Sequence, residues 1–229
     1  MQVVRFNWPR YVAVLLVVAA AWIWTALNLP VFGSVLLWGV GTAATTWTFT
    51  PLIATWWVYD HRRIYDLVGT GLGSVGSYAT VHAGFADATR HLERTIGYAP
   101  VAVVDLHVAP RGSLRRARSG PASPDGIASS LPFTSESLDT VFMTFAAHEV
   151  RPLTNQRALF EELHRVLVAG GRLVVTEHML DKANVGVFGL GALHFQRAAK
   201  WLRRASEMRF QLVDDDYLTP FVRRLVWKP

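Results

Sequence analysis

The chain has 229 residues, no cysteine and a formal net charge of +6. This length provides for one domain with an additional segment, and the absence of cysteine fits a cytoplasmic compartment. A positive charge of this size suits nucleic acid or an anionic lipid surface. Nothing in the sequence resembles a base-reading motif, which argues against a nucleic-acid reader and favours the membrane surface.

The first quarter of the chain is strongly apolar. Residues 11–59 contain no Asp, Glu, Lys, Arg or His. Because a transmembrane helix needs about 20 apolar residues, this interval predicts two spans, near Tyr11–Leu29 and Val35–Val58, with a turn at 30–34. The apolar run is too long for a cleaved signal peptide, and no small-residue cleavage site follows it.

Charges and tryptophans at the ends of this hairpin predict its orientation. Arg5 and Arg10 precede the first span, and Arg62 and Arg63 follow the second. The positive-inside rule then predicts an inner (cytoplasmic) membrane protein with both termini and the following domain in the cytoplasm. The segment is also rich in tryptophan, which suits lipid anchoring at the span ends and contact with other membrane-protein subunits elsewhere.

A basic amphipathic helix is predicted near the C-terminus, with Phe195 and Leu202 on its apolar face. Its basic residues are Arg197, Lys200, Arg203, Arg204 and Arg209. Beside a bilayer, such a helix is expected to contact anionic headgroups.

A glycine-rich stretch, GLGSVG at 71–76, matches the pattern G-x-G-x-x-G. This fingerprint binds phosphate only between a buried strand and the start of a helix, and the residues before it form a weak strand candidate. We interpret it as a connection. The chain then divides into a membrane anchor (1–58), a connecting segment with a helix (59–96) and an α/β domain (97–229).

The remaining sequence alternates between helical and strand patterns. The predicted order is a helix over 79–96, a strand over 101–106, a short helix from Ser113, a strand over 138–146, a helix capped by Thr154, a turn at 170–171, a strand over 171–177, a helical stretch to about 208, and two closing strands. Strands that alternate with helices predict a mostly parallel sheet with right-handed crossovers.

Several motifs occur together between residues 131 and 180. They are Leu131-Pro132-Phe133, Leu138-Asp139-Thr140-Val141, Glu162-Leu163-His164-Arg165-Val166-Leu167, Gly170-Gly171 and Glu177 at a strand end. This combination resembles the second half of a class I S-adenosylmethionine-dependent methyltransferase, and the order of elements extends the resemblance over 97–229. It implies an α/β fold with a Rossmann-like, mostly parallel and shortened sheet, preceded here by the two predicted transmembrane helices.

The resemblance also implies a cofactor site, from which this sequence departs. In the family a glycine-rich loop after the first strand holds the methionine part of the cofactor, whereas residues 107–110 read HVAP. An acid ending the second strand holds the ribose, but only about 30 residues separate His107 from Leu138, too few for two further strand–helix units. The family's acidic residue that reads the adenine would fall near 127–128, where this sequence has Ile127 and Ala128. Asp105 and His107 remain as cofactor-binding candidates, so we expect no cofactor, or S-adenosylmethionine if the protein is active.

Polar residues follow the ends of the predicted strands, where ligands bind in open α/β sheets. His148 with Glu149, and Glu177 with His178, are the candidate catalytic residues of an active protein. A Glu–His pair could act as general base, three convergent ligands could bind zinc or iron, or these groups could satisfy the backbone and one another.

Three functional hypotheses follow. The first is a membrane-anchored, methyltransferase-like protein that is catalytically degenerate and serves as an accessory or structural subunit of a bacterial respiratory or photosynthetic membrane complex. The alternative is an active S-adenosylmethionine-dependent methyltransferase acting on a membrane-embedded acceptor such as a quinone, isoprenoid, pigment or phospholipid. The third is metal-dependent chemistry at the histidine–carboxylate cleft.

Overall fold

The computed structural model describes residues 2–27, 31–84, 86–106, 130–150 and 153–229. It begins with a hairpin of two helices, α1 (Gln2–Ala26) and α2 (Val31–Thr55). The helices pack against each other, and the Trp38 indole donates a hydrogen bond to the Thr25 hydroxyl at 3.0 Å. A π-helix, Trp56–His61, and the short helix α3 (Ile64–Leu67) follow directly.

The described part of the chain then forms a six-stranded sheet. Its strands are β1 (Tyr78–His82), β2 (Ala102–Asp105), β3 (Leu138–Thr144), β4 (Leu167–Glu177), β5 (Gln211–Thr219) and β6 (Val222–Lys228). The order across the sheet is β2-β1-β3-β4-β6-β5. The first four strands in this order are parallel, and β6 pairs antiparallel with both β4 and β5. The predicted Rossmann-like, mostly parallel sheet is confirmed.

Four further helices accompany the sheet in the part of the chain that the structure describes. They are α4 (Asp87–Ile96), α5 (Leu153–Val166), α6 (Lys182–Phe188) and α7 (Ala198–Glu207), with a 3₁₀ turn at Gly189–His194 between the last two. The apolar positions of α5 are buried as their helical period predicts, including Leu159, Phe160 and Leu163. Phe160 stacks on Trp201 of α7 with ring centroids 6.2 Å apart. This core holds the carboxyl ends of β3 and β4 in fixed positions.

The first strand of the sheet lies where a helix over 79–96 was predicted. That prediction is wrong for β1, because the helical pattern of α4 extends only back to Asp87. The polar groups of β1 are satisfied locally, since the Tyr78 hydroxyl donates to the Tyr98 carbonyl at 2.7 Å and the Thr80 hydroxyl lies 2.9 Å from that of Thr89. The sheet therefore begins at Tyr78, within the segment predicted to be a connection.

This changes the assignment of the next strand. The strand predicted as the first of the domain, over 101–106, is β2, and it pairs with β1 at the edge of the described sheet. The short stretch between His107 and Leu138 therefore follows the second strand of the sheet and not the first. The HVAP segment at 107–110, the short helix predicted from Ser113 and position 127–128 lie outside the described residues.

The glycine-rich stretch 71–76 precedes β1 instead of joining a strand to a helix, so it lacks the context of a phosphate-binding turn. Arg224 donates to the carbonyl of Thr70 at 2.6 Å, and Arg172 donates to the carbonyls of Leu72 and Ser74. These contacts bind the stretch to the sheet. Its interpretation as a connection is consistent with this arrangement.

The predicted transmembrane hairpin, and with it the inner-membrane location, is wrong. Within the ranges that the structure describes, no helix combines the length and the apolar character that crossing a bilayer requires. Hydroxyl side chains interrupt the apolar surface of α2. The hydroxyls of Thr45 and Thr50 donate hydrogen bonds to the carbonyls of Gly41 and Thr46 in the same helix. The same helix also packs against α6 of the α/β domain.

Candidate functional site

The candidate site is built at the carboxyl edge of the parallel strands. His82 ends β1 and Asp105 ends β2, and the two residues are direct neighbours in the strand register. Gly84 follows β1 with φ +107, a backbone conformation that residues other than glycine rarely adopt. Its N–H donates to Nδ1 of His82 at 3.1 Å. The turn after the first strand therefore contains a glycine at a position that requires one.

A small pocket lies beside this turn, between the end of β1, the start of α4 and the end of β3. The cap residue of α4, Ala86, makes no side-chain hydrogen bond. The N–H of Thr89 bonds to the Ala86 carbonyl at 3.0 Å, and the first turn also carries the acid Asp87, so only the earliest backbone N–H groups of the helix can bind a ligand. Thr144 also lines the pocket. Its buried hydroxyl has no hydrogen-bond partner among the described residues.

The glycine turn at Gly84 and the acid at Asp105 fit the binding of S-adenosylmethionine. An acid at the end of the second strand is where the family resemblance places the ribose ligand, and Asp105 occupies that position once β1 is recognised as the first strand. Gly84 and the start of α4 occupy the position of the loop that holds the methionine part. Only one glycine is present in the turn, and Phe85 lies outside the described residues.

A buried histidine joins two carboxylates at the neighbouring strand ends. Nδ1 of His148 lies 2.7 Å from a carboxylate oxygen of Glu177, and Nε2 lies 3.3 Å from a carboxylate oxygen of Glu149. Glu177 is fully buried and also accepts a hydrogen bond from the backbone N–H of Ala147 at 2.8 Å. Glu149 is the more accessible carboxylate, with a quarter of its side chain exposed.

The two carboxylates determine the protonation state of the His148 imidazole. Burial alone would lower the pKa of His148, but Glu177 and Glu149 outweigh burial and raise it to about 10. At neutral pH the ring is therefore an imidazolium whose two N–H groups each point to a carboxylate. A protonated ring cannot accept a proton from a substrate, so Glu149 is better suited than His148 to act as a base.

His178 lies close by in a different environment. Its Nδ1 donates to the Phe221 carbonyl at 2.8 Å, so its Nε2 accepts a hydrogen bond from the Tyr59 hydroxyl at 3.0 Å. Burial lowers the pKa of His178 to about 4 and raises that of Tyr59 well above its ordinary value. The ring is neutral at neutral pH, with both nitrogens occupied.

Aromatic rings enclose His178 on both faces. Phe145 stacks on it with centroids 5.0 Å apart, and Phe195 stacks on it at 5.1 Å. Phe145 adopts φ +51, which is strained for this residue and brings its ring onto the imidazole. Phe195 also meets His148 edge to face at 6.0 Å. Phe195 therefore contacts the rings of both histidines.

The structure thus brings together most of the residues predicted from the sequence. His148, Glu149 and Glu177 form one cluster, and His178 lies beside it. Asp105 lies at the end of β2, which is separated from β4 by the two strands β1 and β3. His107 is outside the described residues. Among the residues that are described, no group of three or more His, Asp or Glu side chains is arranged to hold a metal ion.

Sequence reasoning missed three contributors to the site. Gly84 was overlooked because it is a single glycine, and Tyr59 because it lies at the end of a segment interpreted as a membrane anchor. Phe195 was assigned to the apolar face of a helix. Only Gly84 carried a usable signal, since it follows the short β-branched run around Thr80 and Val81.

Comparison with known proteins is consistent with this geometry. A family model described as a methyltransferase domain matches residues 81–175. An S-adenosylmethionine-dependent methyltransferase from Aquifex aeolicus has a similar structure, with a TM-score of 0.54 and 12% identity over 75% of this chain and 92% of that chain. No curated protein sequence matches the chain.

Two other solved structures show how broadly the fold is used. PigF, solved with SAH, gives a TM-score of 0.52 at 15% identity over 84% of this chain and 70% of that chain. The [4+2]-cyclase SpnF gives a TM-score of 0.50 at 15% identity over 73% of this chain and 80% of that chain. At such identities the likeness establishes the fold alone. The family model adds a sequence similarity to a methyltransferase domain over residues 81–175, which is less than half of the chain.

Proposed function

We propose that this protein is an active S-adenosylmethionine-dependent methyltransferase. The observation that carries the proposal is the pairing of β1 with β2, which brings Gly84 and Asp105 to adjacent strand ends. These are the two positions from which a class I enzyme holds the methionine and ribose parts of its cofactor. The space between these strand ends and α4 is about 10 Å³, enough for about one water molecule, so the cofactor would lie outside it, against Gly84 and Asp105.

The expectation of a degenerate site rested on the strand order read from the sequence. With 101–106 as the first strand, the loop at 107–110 had to replace the glycine turn, and no acid ended a second strand. With β1 as the first strand, the turn at 83–86 contains Gly84 and the second strand ends in Asp105. Two of the three supposed losses therefore disappear, and the third, near 127–128, lies outside the described residues.

The side chains suggest a division of roles. When bound, S-adenosylmethionine supplies a methyl group on a positively charged sulfur that leaves as a neutral thioether. Asp105 would accept hydrogen bonds from the ribose hydroxyls, and the N–H groups at the start of α4 would bind the carboxylate of the methionine part. Glu149 would accept the proton that an O–H or N–H acceptor releases. His148 would act as a positioning residue, since its imidazolium lies between the carboxylates of Glu149 and Glu177 and contacts both.

Calorimetric titration of the full chain tests the proposal directly. We expect S-adenosylmethionine and S-adenosylhomocysteine to bind the wild-type protein, and Asp105→Asn to weaken binding about 10- to 100-fold, because a charge-assisted pair of hydrogen bonds is lost. Glu161→Gln is the charge-matched control, because Glu161 is an exposed residue of α5. Binding that is equal in Asp105→Asn and Glu161→Gln would contradict the assignment of Asp105.

The silent accessory subunit of a larger complex stays the alternative. A [4+2]-cyclase has a similar fold, so the fold alone does not establish methyl transfer. The same titration separates the two hypotheses. If neither ligand binds at millimolar concentration while the protein is folded, the enzyme proposal fails and the silent subunit is favoured.

A further inference from the structure

The first helix of the hairpin carries a large exposed apolar face. Six large apolar side chains of α1 are between 41% and 67% exposed. They are Trp8, Val12, Leu15, Leu16, Trp22 and Ile23. At roughly 100 Å² for each side chain, they expose about 600 Å² of apolar area, which is the upper end of what a monomeric protein leaves in contact with water. A face of this size indicates an interaction surface.

The exposed residues of α1 form a regular row. The row consists of Trp8, Val12, Leu15, Ala19, Trp22 and Ala26, which follow one another alternately four and three residues apart. This is the spacing with which one helix packs along another in a coiled coil. The buried positions among the described side chains of α1 are Val14 and Ala21, on a different face, and α2 packs against α1. The row is therefore accessible to a helix from outside the hairpin.

The absence of charge narrows the kind of helix that can pack on this row. Residues 11–59 contain no Asp, Glu, Lys, Arg or His, so the row offers no ion pair to a partner. A partner with charged residues at the facing positions would have to bury them unpaired, which is costly. The occupant is therefore a helix whose own face is apolar, uncharged and spaced in the same way. This chain itself contains such a helix.

The row is also complementary to itself. Trp8 and Trp22 each lie seven residues from Leu15, and Val12 and Ala19 lie three and four residues from it. When two copies of α1 cross antiparallel at Leu15, Trp8 of one copy lies opposite Trp22 of the other. Val12 then lies opposite Ala19, a larger side chain against a small one. A two-fold axis at Leu15 thus gives a closed contact in which the same face serves both copies.

We propose that this protein forms a homodimer through α1, with the two copies of the helix antiparallel and crossing at Leu15. A specific interface buries about 800 Å² on each partner, and the apolar side chains on this face of α1 supply most of that area. The tryptophan-rich segment, which the sequence predicted to contact other subunits, thereby gains a defined partner. That partner is a second copy of the chain.

Sedimentation equilibrium of the full chain in detergent-free buffer tests the dimer. We expect a species of twice the 25.5 kDa of one chain. Leu15→Glu should weaken dimerisation at least about 100-fold, because each copy would place an unpaired carboxylate in the apolar contact. Leu212→Glu is the matched control, since Leu212 is a 44% exposed leucine of β5, and this variant should keep the mass of the dimer.

Cross-linking tests the orientation of the two helices. The chain has no cysteine, so a single introduced cysteine reacts at one known position. Leu15→Cys should link to its own copy through a short bis-maleimide reagent, because the two-fold axis passes beside it. Ala26→Cys is the control. Its two copies would lie about 33 Å apart in the antiparallel pair, at 1.5 Å per residue along each helix, and should not be linked.

Three outcomes would overturn the proposal. They are a wild-type chain that stays monomeric or forms a spread of masses without a dimer, a dimer that Leu15→Glu leaves intact, and equal cross-linking of Leu15→Cys and Ala26→Cys. A monomer that floats with phosphatidylcholine vesicles would assign the face to lipid and would also overturn it. Leu15 is 67% exposed, so its variants are expected to fold, and a thermal unfolding curve verifies this. None of these measurements depends on binding of S-adenosylmethionine.

Discussion

The Tyr59 hydroxyl donates a hydrogen bond to Nε2 of His178 over 3.0 Å. Tyr59 belongs to the π-helix that continues α2, whereas His178 follows the last residue of β4. The bond therefore joins the N-terminal hairpin to the carboxyl edge of the sheet, where the candidate site lies. π-helical turns within helices are frequent at functional sites, and here the wider turn presents Tyr59 to the buried imidazole.

Removing this hydroxyl should loosen the connection between hairpin and sheet. We expect Tyr59→Phe to lower the free energy of unfolding by about 1–2 kcal/mol, because Nε2 of His178 is left buried without a donor. Urea denaturation measures the change. Tyr217→Phe, at an exposed position of β5, is the control and should change stability by less than about 0.5 kcal/mol. Equal effects of the two substitutions would show that the Tyr59 bond contributes nothing specific.

The amino-acid sequence was sufficient to predict the main elements in the second half of the fold. The apolar strand LDTVFMT and the helical period of Leu159, Phe160 and Leu163 are buried as predicted. The two predicted closing strands are also present, and the structure pairs them antiparallel. These elements are long and strongly patterned. The residues His148, Glu149 and Glu177 could be placed at one edge because parallel strands end at the same side of a sheet.

The first half could not be predicted in the same way. β1 reads YATVH, in which Tyr78 and Thr80 are polar and the helix-forming sequence of α4 follows after four residues. The neighbouring run VAVVD has a stronger β-branched signal, yet it lies at one edge of the sheet as far as the structure describes it. What makes β1 a central strand is tertiary pairing with β2 and β3 on both sides, and a local pattern does not reveal that pairing.

The charge state of His148 should appear in the pH dependence of stability. Its folded pKa of about 10 lies above the ordinary value of 6.5, so between these values the folded protein holds a proton that the unfolded chain has lost. This contribution to stability is complete below pH 6.5 and is lost as the pH rises toward 10. We expect the free energy of unfolding, measured by urea denaturation across this window, to fall with rising pH.

His148→Gln should flatten this pH dependence and lower stability at neutral pH by about 3–5 kcal/mol, since Glu177 stays buried without its cation. His61→Gln, at an exposed histidine of the π-helix, is the matched control and should retain the full slope. An unchanged slope in His148→Gln would assign the pH dependence to other groups and remove the case for a protonated imidazole.

The contact between the hairpin and the α/β domain depends on a glycine. Gly189 adopts φ +55, and a Cβ at this position would lie 2.5 Å from the indole nitrogen of Trp47 in α2. We expect Gly189→Ala to cost about 2–4 kcal/mol through backbone strain and the collision with the ring. Gly186→Ala is the matched control, since a Cβ there meets open space within α6, and it should be neutral or slightly stabilising. Thermal unfolding that ranks the two variants equally would contradict a packed interface at Trp47.

Glu149 is the carboxylate best placed to take a proton from an acceptor, because a quarter of its side chain is exposed and His148 holds it from the buried side. We expect Glu149→Gln to lower methyl transfer from labelled S-adenosylmethionine to any hydroxyl acceptor that the wild-type protein methylates by about 10²–10⁴-fold, with cofactor affinity by calorimetry changed less than about threefold. Glu161→Gln, on the exposed face of α5, should retain full turnover. The loss should also shrink at alkaline pH, where the acceptor hydroxyl ionises without a base. A Glu149→Gln variant with wild-type turnover at neutral pH, or with a defect independent of pH, would exclude a proton-accepting role for this residue.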